Sequence, residues 1–248
     1  VYGAERVVIG VEANKPDAIA LLQKQCADTP VEILPLQVKY PQGAEKQLIA
    51  AATGKEVPSG GLPMDVGVAV HNVSTAAAVA DAVMLGRPLI ERVCTVTGPA
   101  IKEPKNLRVR IGMPLAHLVE VCGGMVEDPG KIILGGPMMG FTQVGFDVPV
   151  VRGTSGLLLL REEDVTKAPE GPCIRCARCV QACPMKLLPT TIAAYARRDL
   201  VEETEEYCAM DCIECGSCSY VCPANLPLVQ SIRHGKAAVL AKKRKALL

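Results

Sequence analysis

The sequence predicts an α/β layered front part, a small β-grasp-like module and an α-helical, cysteine-rich end. Three observations carry that division. Apolar, β-branched runs alternate with helical periodicity up to about residue 90. Two alternating strands, one short helix and a further strand come next. Nine of the twelve cysteines then fall between Cys173 and Cys222.

Taken in order, Val7 to Val11 is apolar and β-branched, as a buried strand should be. Pro16 opens a helix over Asp17 to Lys24, because its fixed φ and missing N–H are harmless in a first turn. Ala18, Leu21 and Leu22 give that helix its apolar face. Val31 to Val38 alternates as a second strand, Gly43 to Thr53 reads as a helix, and Gly54 to Pro63 is rich in turn residues. Val66 to Val70 is expected as a short strand, and Ser74 to Leu85 as an alanine-rich helix closed by Gly86.

Glu91 to Thr97 and Asn106 to Ile111 alternate as strands, with a turn at Gly98-Pro99. Pro114 to Cys122 reads as one helix ended by Gly123-Gly124, and Lys131 to Leu134 as a strand. Val148 to Leu160 adds one or two more strands, and Pro169 to Pro172 breaks the chain. The expected domains are residues 1–91, 92–150 and 169–248, with 151–168 as connecting strands or linker. The first residue is Val1, close to a strand, which is what an excised piece of a longer chain would show.

Hydrophobic residues make up 49% and charged residues 21%, enough for a core and too apolar for general disorder. Five Tyr, two Phe, no Trp and a net charge of +1 argue against a nucleic-acid partner, which needs stacking platforms or a basic stripe. The run Lys242 to Lys245 reads as a solvated helix face. The densest apolar run, Leu157 to Leu160, is far too short to span a bilayer, so membrane contact is expected only through partners.

Two cysteine runs carry the metal chemistry. Cys173-Ile-Arg-Cys176-Ala-Arg-Cys179-Val-Gln-Ala-Cys183-Pro184 and Cys212-Ile-Glu-Cys215-Gly-Ser-Cys218-Ser-Tyr-Val-Cys222-Pro223 both read C-x2-C-x2-C-x3-C-P. That is the bacterial two-cluster ferredoxin run. Three closely spaced thiolates wrap a tight loop around one cubane. The fourth is directed away and, in the two-cluster fold, ligates the other cluster. Cys173, Cys176, Cys179 and Cys222 are therefore assigned to one [4Fe–4S] cluster, and Cys212, Cys215, Cys218 and Cys183 to the other. Structural zinc is the rival reading, although it usually takes two C-x2-C pairs rather than four such cysteines with a proline, twice. Thr190 to Leu200 is expected as a helix against the clusters. Cys208 falls outside the pattern as a buried thiol or cluster neighbour, and Cys26, Cys94 and Cys122 read as small core residues. Arg175, Arg178 and Lys186 read as solvated charge, or as docking points for an acidic donor.

The front part holds no G-x-G-x-x-G and no G-x-x-x-x-G-K-[ST]. Two helix starts remain, Tyr40-Pro41-Gln42-Gly43-Ala44-Glu45-Lys46 and His71-Asn72-Val73-Ser74-Thr75. Each can be a helix cap or an anion site. With Glu56 to Pro63, Arg92 to Gly98 and the two ferredoxin runs, these segments resemble the RnfC (also called RsxC) family, a component of ion-pumping electron-transport complexes. The front is similar, more distantly, to the flavin- and NADH-binding subunit of respiratory complex I. There a G-E-E segment meets nicotinamide and flavin, and an N-N-V-E-T segment meets the flavin phosphate.

The resemblance implies a Rossmann-like flavin-binding part and, from residue 92 to about 146, the ligand-binding β-grasp module called SLBB. It implies that Gly43, Ala44 and Glu45 face nicotinamide and flavin, that His71, Asn72 and Thr75 meet the flavin phosphate, and that Glu12 is a flavin-side acid. Ala44 and His71 depart from the family pattern, and the family's glycine-rich flavin loop would lie upstream of Val1. The implied activity is that of one subunit in an ion-translocating oxidoreductase, on the cytoplasmic side of the bacterial inner membrane. NADH would reduce FMN, FMN the two [4Fe–4S] clusters, and the clusters other subunits, with NAD(H) or a ferredoxin-type protein as redox partner. A cluster-only electron wire, whose front half binds no nucleotide, is the alternative.

Overall fold

The computed structural model describes residues 3–246, so the outermost limits of the first and last expected domains lie outside the described residues. In chain order come β1 (Val7–Glu12), α1 (Pro16–Gln25), β2 (Val31–Leu36), α2 (Glu45–Thr53) and α3 (Val73–Leu85). Then follow β3 (Glu91–Thr97), β4 (Lys105–Arg110), α4 (Leu115–Val121), β5 (Lys131–Leu134), β6 (Phe141–Gln143) and β7 (Gly156–Leu160). The end is helical: α5 (Arg178–Gln181), α6 (Pro189–Ala196), α7 (Val201–Glu206), α8 (Ser217–Tyr220) and α9 (Leu228–Ala246). These form two compact units. One joins the stretch through Val70, Cys183–Ile213 and the stretch from Ile232; the other joins His71–Ala182 and Glu214–Ser231.

In the first unit β1 and β2 pair in parallel, from Val7 opposite Val31 to Glu12 opposite Leu36. Parallel neighbours need a crossover, and α1 supplies it, with Pro16 in its first turn. A Cβ at Gly10 would come within 2.8 Å of Leu36 Cδ1 and 3.0 Å of Leu48 Cδ1, so this glycine lets α2 lie close on the strands. Ile49 of α2 is buried there.

The expected strand at Val66 to Val70 is not formed. Pro63–Val66 is a single 3-10 turn instead. Asp65 Oδ2 accepts the Leu62 N–H at 2.7 Å and Gly67 takes φ 72°, a local hydrogen-bond set that competes with the pleat. Cys26 also departs from expectation: it ends α1 half-buried rather than in a core.

In the second unit five strands form one sheet in the order β4-β3-β7-β5-β6. β3 runs antiparallel to β4 and parallel to β7, and β5 runs antiparallel to β7 and β6. This is the β-grasp order, and the buried face of α4 (Leu115, Leu118, Val119) shares a core with Val96, Leu157 and Leu159. β7, from the stretch expected as a connection, is the central strand; β6 is an addition to the expected elements. Cys94 and Cys122 are fully buried core residues, and burial raises both thiols above the ordinary cysteine value, as befits inert structural sulfur. α3, expected as an alanine-rich helix, is formed but buries none of its residues.

Candidate functional site

The two cysteine runs are one backbone device built twice, 39 residues apart from Cys173 to Cys212. The helices repeat at that interval: α5 and α8 start at Arg178 and Ser217, α6 and α9 at Pro189 and Leu228. The left-handed residues repeat too. Arg175 and Glu214 have φ 55° and 57°, Ala177 and Gly216 have 59° and 83°, and Lys186 and Asn225 have 54° and 51°. Most L-residues avoid this region, at about 1 kcal/mol or more each, so its recurrence on both sides of the second cysteine marks a loop forced to curl.

Burial then separates the runs. Cys173 and Cys176 are exposed and Cys179 is buried; Cys212 is half-buried, and Cys215 and Cys218 are buried. The fourth thiols, Cys183 and Cys222, are both half-buried. The Leu187 N–H donates to Cys183 Sγ at 3.4 Å, and Cys215 Sγ is 3.4 Å from the Ser217 hydroxyl, which donates once that sulfur is a thiolate. Lys236 Nζ donates to the Cys212 carbonyl at 2.8 Å. Cys208 is exposed, with φ 58°, just outside the repeat.

The donor chemistry fits iron–sulfur clusters: eight soft thiols in two identical spacings, with no imidazole within either run. Among the described residues, no three His, Cys, Asp or Glu side chains are gathered as around one ion. Four sulfurs on a single zinc would crowd to about 3.8 Å from one another, given Zn–S near 2.3 Å, whereas each thiolate of a cubane holds a different iron.

Of the residues expected to meet the flavin, Ala44 is the N-cap of α2, with Gly43 before it and Glu45 in the first turn. The Ala44 methyl makes no side-chain cap, so the cap that local chemistry would favour is lacking here. Glu12, at the end of β1, is ion-paired with Lys15 at 2.8 Å. His71, Asn72 and Thr75 belong to the other unit, where Asn72 caps α3 by accepting the Ser74 N–H at 2.9 Å. Each of the two flavin-side sets thus stands at a helix start, in its own unit.

One cluster-side contact has no local sequence signal. Asp211, immediately before Cys212, accepts the Gly60 N–H at 3.1 Å and the Ser59 hydroxyl, and Lys46 Nζ stands 3.5 Å away. Burial alone would raise this carboxyl; Ser59, Gly60 and Lys46 together reverse that and hold it below the ordinary aspartate value. Next along α2, Gln47 Nε2 donates to the Pro184 carbonyl at 3.4 Å and lies 3.3 Å from Met185 Sδ, beside Cys183.

Three family models match stretches of this chain. Residues 1–81 match the Nuo51 FMN-binding domain, 93–142 the SLBB domain and 172–226 the 4Fe-4S dicluster domain. The chain is 51% identical over 238 residues to component C of the proton-translocating ferredoxin:NAD+ oxidoreductase complex of Clostridium ljungdahlii, covering 96% of this chain and 52% of that protein. It is 52% identical over 244 residues to the Na+-translocating counterpart of Acetobacterium woodii, covering 98% and 55%. With component C of the ion-translocating oxidoreductase complex of Rhodobacter capsulatus, identity is 43% over 236 residues, covering 94% and 46%. The chain thus spans about half the length of these curated relatives.

Proposed function

The chain belongs to the RnfC family of ion-translocating oxidoreductase complexes, and from that premise we propose that it moves electrons between NADH and two [4Fe–4S] clusters. The observation that carries this reading is the doubled cysteine run, with left-handed residues at the same three places in each copy. Cys173, Cys176, Cys179 and Cys222 would hold one cluster, and Cys212, Cys215, Cys218 and Cys183 the other.

FMN, when bound, supplies the conversion between a hydride and single electrons: each NADH yields NAD+, one proton and two electrons. The residues of this chain supply placement. Gly43, Ala44 and Glu45 would meet the nicotinamide and flavin, His71, Asn72 and Thr75 the flavin phosphate, and Glu12 the flavin side. The clusters would hand on to other subunits of a membrane complex, with NAD(H) or a ferredoxin-type protein as redox partner and ion movement in those other subunits. Among the described residues no helix is long and apolar enough to cross a membrane. Attachment is proposed through the other subunits, on the cytoplasmic side, where NADH and reduced thiols are found.

Glu45→Gln tests the nicotinamide side. NADH oxidation should fall while iron content stays at the wild-type value, and unchanged kinetics would remove Glu45 from the site. A cluster-only electron wire is the second reading, favoured by the commitment of Asn72 to its own helix and of Glu12 to Lys15. Protein with both clusters that binds no FMN would establish it.

A further inference from the structure

We propose that Asp211 is a positioning residue, a latch that ties the segments carrying the nicotinamide-side motif to Cys212 and makes the cluster of Cys183 and Cys212 the first to be reduced. This rests on the electron-transfer reading above. Two separate tethers converge on that cluster. Lys46 and Gln47 directly follow Gly43-Ala44-Glu45 on α2; one reaches Asp211, beside Cys212, and the other reaches Pro184, beside Cys183. Ligand crossing, which rests on spacing alone, independently puts Cys183 and Cys212 on one cluster.

The loop end of the latch is shaped for its task. The Gly61 N–H donates to the Pro58 carbonyl at 3.0 Å and Gly60 has φ 70°, the position of a type II turn that favours glycine. That turn offers the Ser59 hydroxyl and the Gly60 N–H to one carboxylate. The Asp211 side chain is only 12% exposed and that of Lys46 20%, so their ion pair is largely shielded from water and from salt, while Ser59 and Gly60 reach the carboxylate from the surface.

The repeat supplies an internal control. Thirty-nine residues before Asp211 stands Pro172, and the counterpart of Met185 is Ala224. A cysteine run therefore closes without an acid before its first cysteine. The acid and the methionine occur at the cluster that the front segments contact, which assigns them to that contact rather than to holding iron.

The electron balance is that of the proposed reaction. NADH gives up two electrons and leaves as NAD+, with one proton released through FMN. The latched cluster would take the two electrons one at a time, going from 2+ to 1+ and back as it passes each on.

The test uses the full-length protein holding FMN and both clusters, as wild type, Asp211→Ala and Ser59→Ala. Ser59 lies far in sequence from any cysteine ligand, so it answers for the latch if Asp211→Ala fails to fold. NADH is mixed in anaerobically and cluster reduction is followed by rapid-freeze EPR. Alongside are measured NADH:ferricyanide turnover, which bypasses the clusters, iron content, and hydrogen exchange at the Gly60 amide. Cluster reduction should slow about tenfold or more in Asp211→Ala and about threefold in Ser59→Ala, since small displacements in a transfer geometry are costly. Ferricyanide turnover and iron should hold, and the Gly60 amide should exchange faster. Reduction rates unchanged in both variants, with the Gly60 amide released, would overturn the latch. Wild-type clusters that NADH leaves oxidised would instead overturn the electron-transfer reading, and the latch with it.

Discussion

Cys173 and Cys176 of the first run are exposed, whereas their counterparts 39 residues on, Cys212 and Cys215, are half-buried and buried. The backbone around them is the same, down to the left-handed residues. Around the second run Asp211 receives Ser59 and Gly60, and Lys236 holds the Cys212 carbonyl. Around the first, Ile174 is 65% exposed and Arg175 and Arg178 are exposed. The two runs thus share their spacing and differ in their flanking residues. Under the proposed function the open run would pass electrons outward, and the enclosed run beside Asp211 would receive them from within the chain.

The crossed ligands should give the most severe loss. Cys183→Ala and Cys222→Ala should each lower iron from about eight to about four per chain, because each removes one cluster. In Cys183→Ala it is Cys212, Cys215 and Cys218 that should become open to alkylation, detectable by mass spectrometry. Alkylation of Cys173, Cys176 and Cys179 instead would show that each run keeps its own fourth ligand.

The twin positions Ala177 and Gly216 come next. A Cβ at Gly216 would stand 2.7 Å from the Met138 carbonyl oxygen, so Gly216→Ala should lose about 1–3 kcal/mol in chemical denaturation. Ala177 already carries a Cβ at φ 59°, and Ala177→Gly should stay within about 1 kcal/mol of wild type. Equal losses would mean that the two loops have the same surroundings.

A weaker effect should appear under mild oxidant with chelator. Iron should leave in two phases of about equal size, the fast one belonging to the run of the exposed Cys173 and Cys176, read from the order of thiol alkylation.

The slightest change concerns the helices of the second half. Lys242 of α9 pairs with Glu202 of α7 at 2.8 Å, which holds the Glu202 carboxyl below its ordinary value and Lys242 above its own. A lowered carboxyl gives stability that is present above its unfolded pKa and lost as pH falls through the folded one. A raised lysine gives stability that is present below its unfolded pKa and lost as pH rises through the folded one. The contribution is therefore level from about pH 5 to about pH 10, and because the pair is exposed, Glu202→Gln should lower the unfolding midpoint only slightly.

Most of this was legible in the sequence where the controlling physics is local. Cysteine spacing, the proline after each fourth thiol, Pro16 at the start of α1 and Gly86 at the end of α3 all act within one turn of chain. The three residues of β6 are too few to show alternation, and β7 could be read as a strand but not as the centre of its sheet. The segment Val66 to Val70 misled because an apolar run says strand, while the Asp65 carboxylate and Gly67 decide otherwise. Asp211 gave no signal because its partners Ser59 and Gly60 lie about 150 residues away. Aligning the two halves of the repeat would have exposed it, as an acid standing where the other copy has Pro172.

Every step of the proposed path from nicotinamide to partner requires that the eight cysteines hold two interacting [4Fe–4S] clusters. An anaerobic iron and sulfide count on the purified protein, with EPR after dithionite reduction, tests that dependence. About eight irons and eight sulfides per chain, and a spectrum broadened by two reduced clusters acting on each other, is the predicted result. Zinc in place of iron, with no acid-labile sulfide and a silent spectrum, would contradict it.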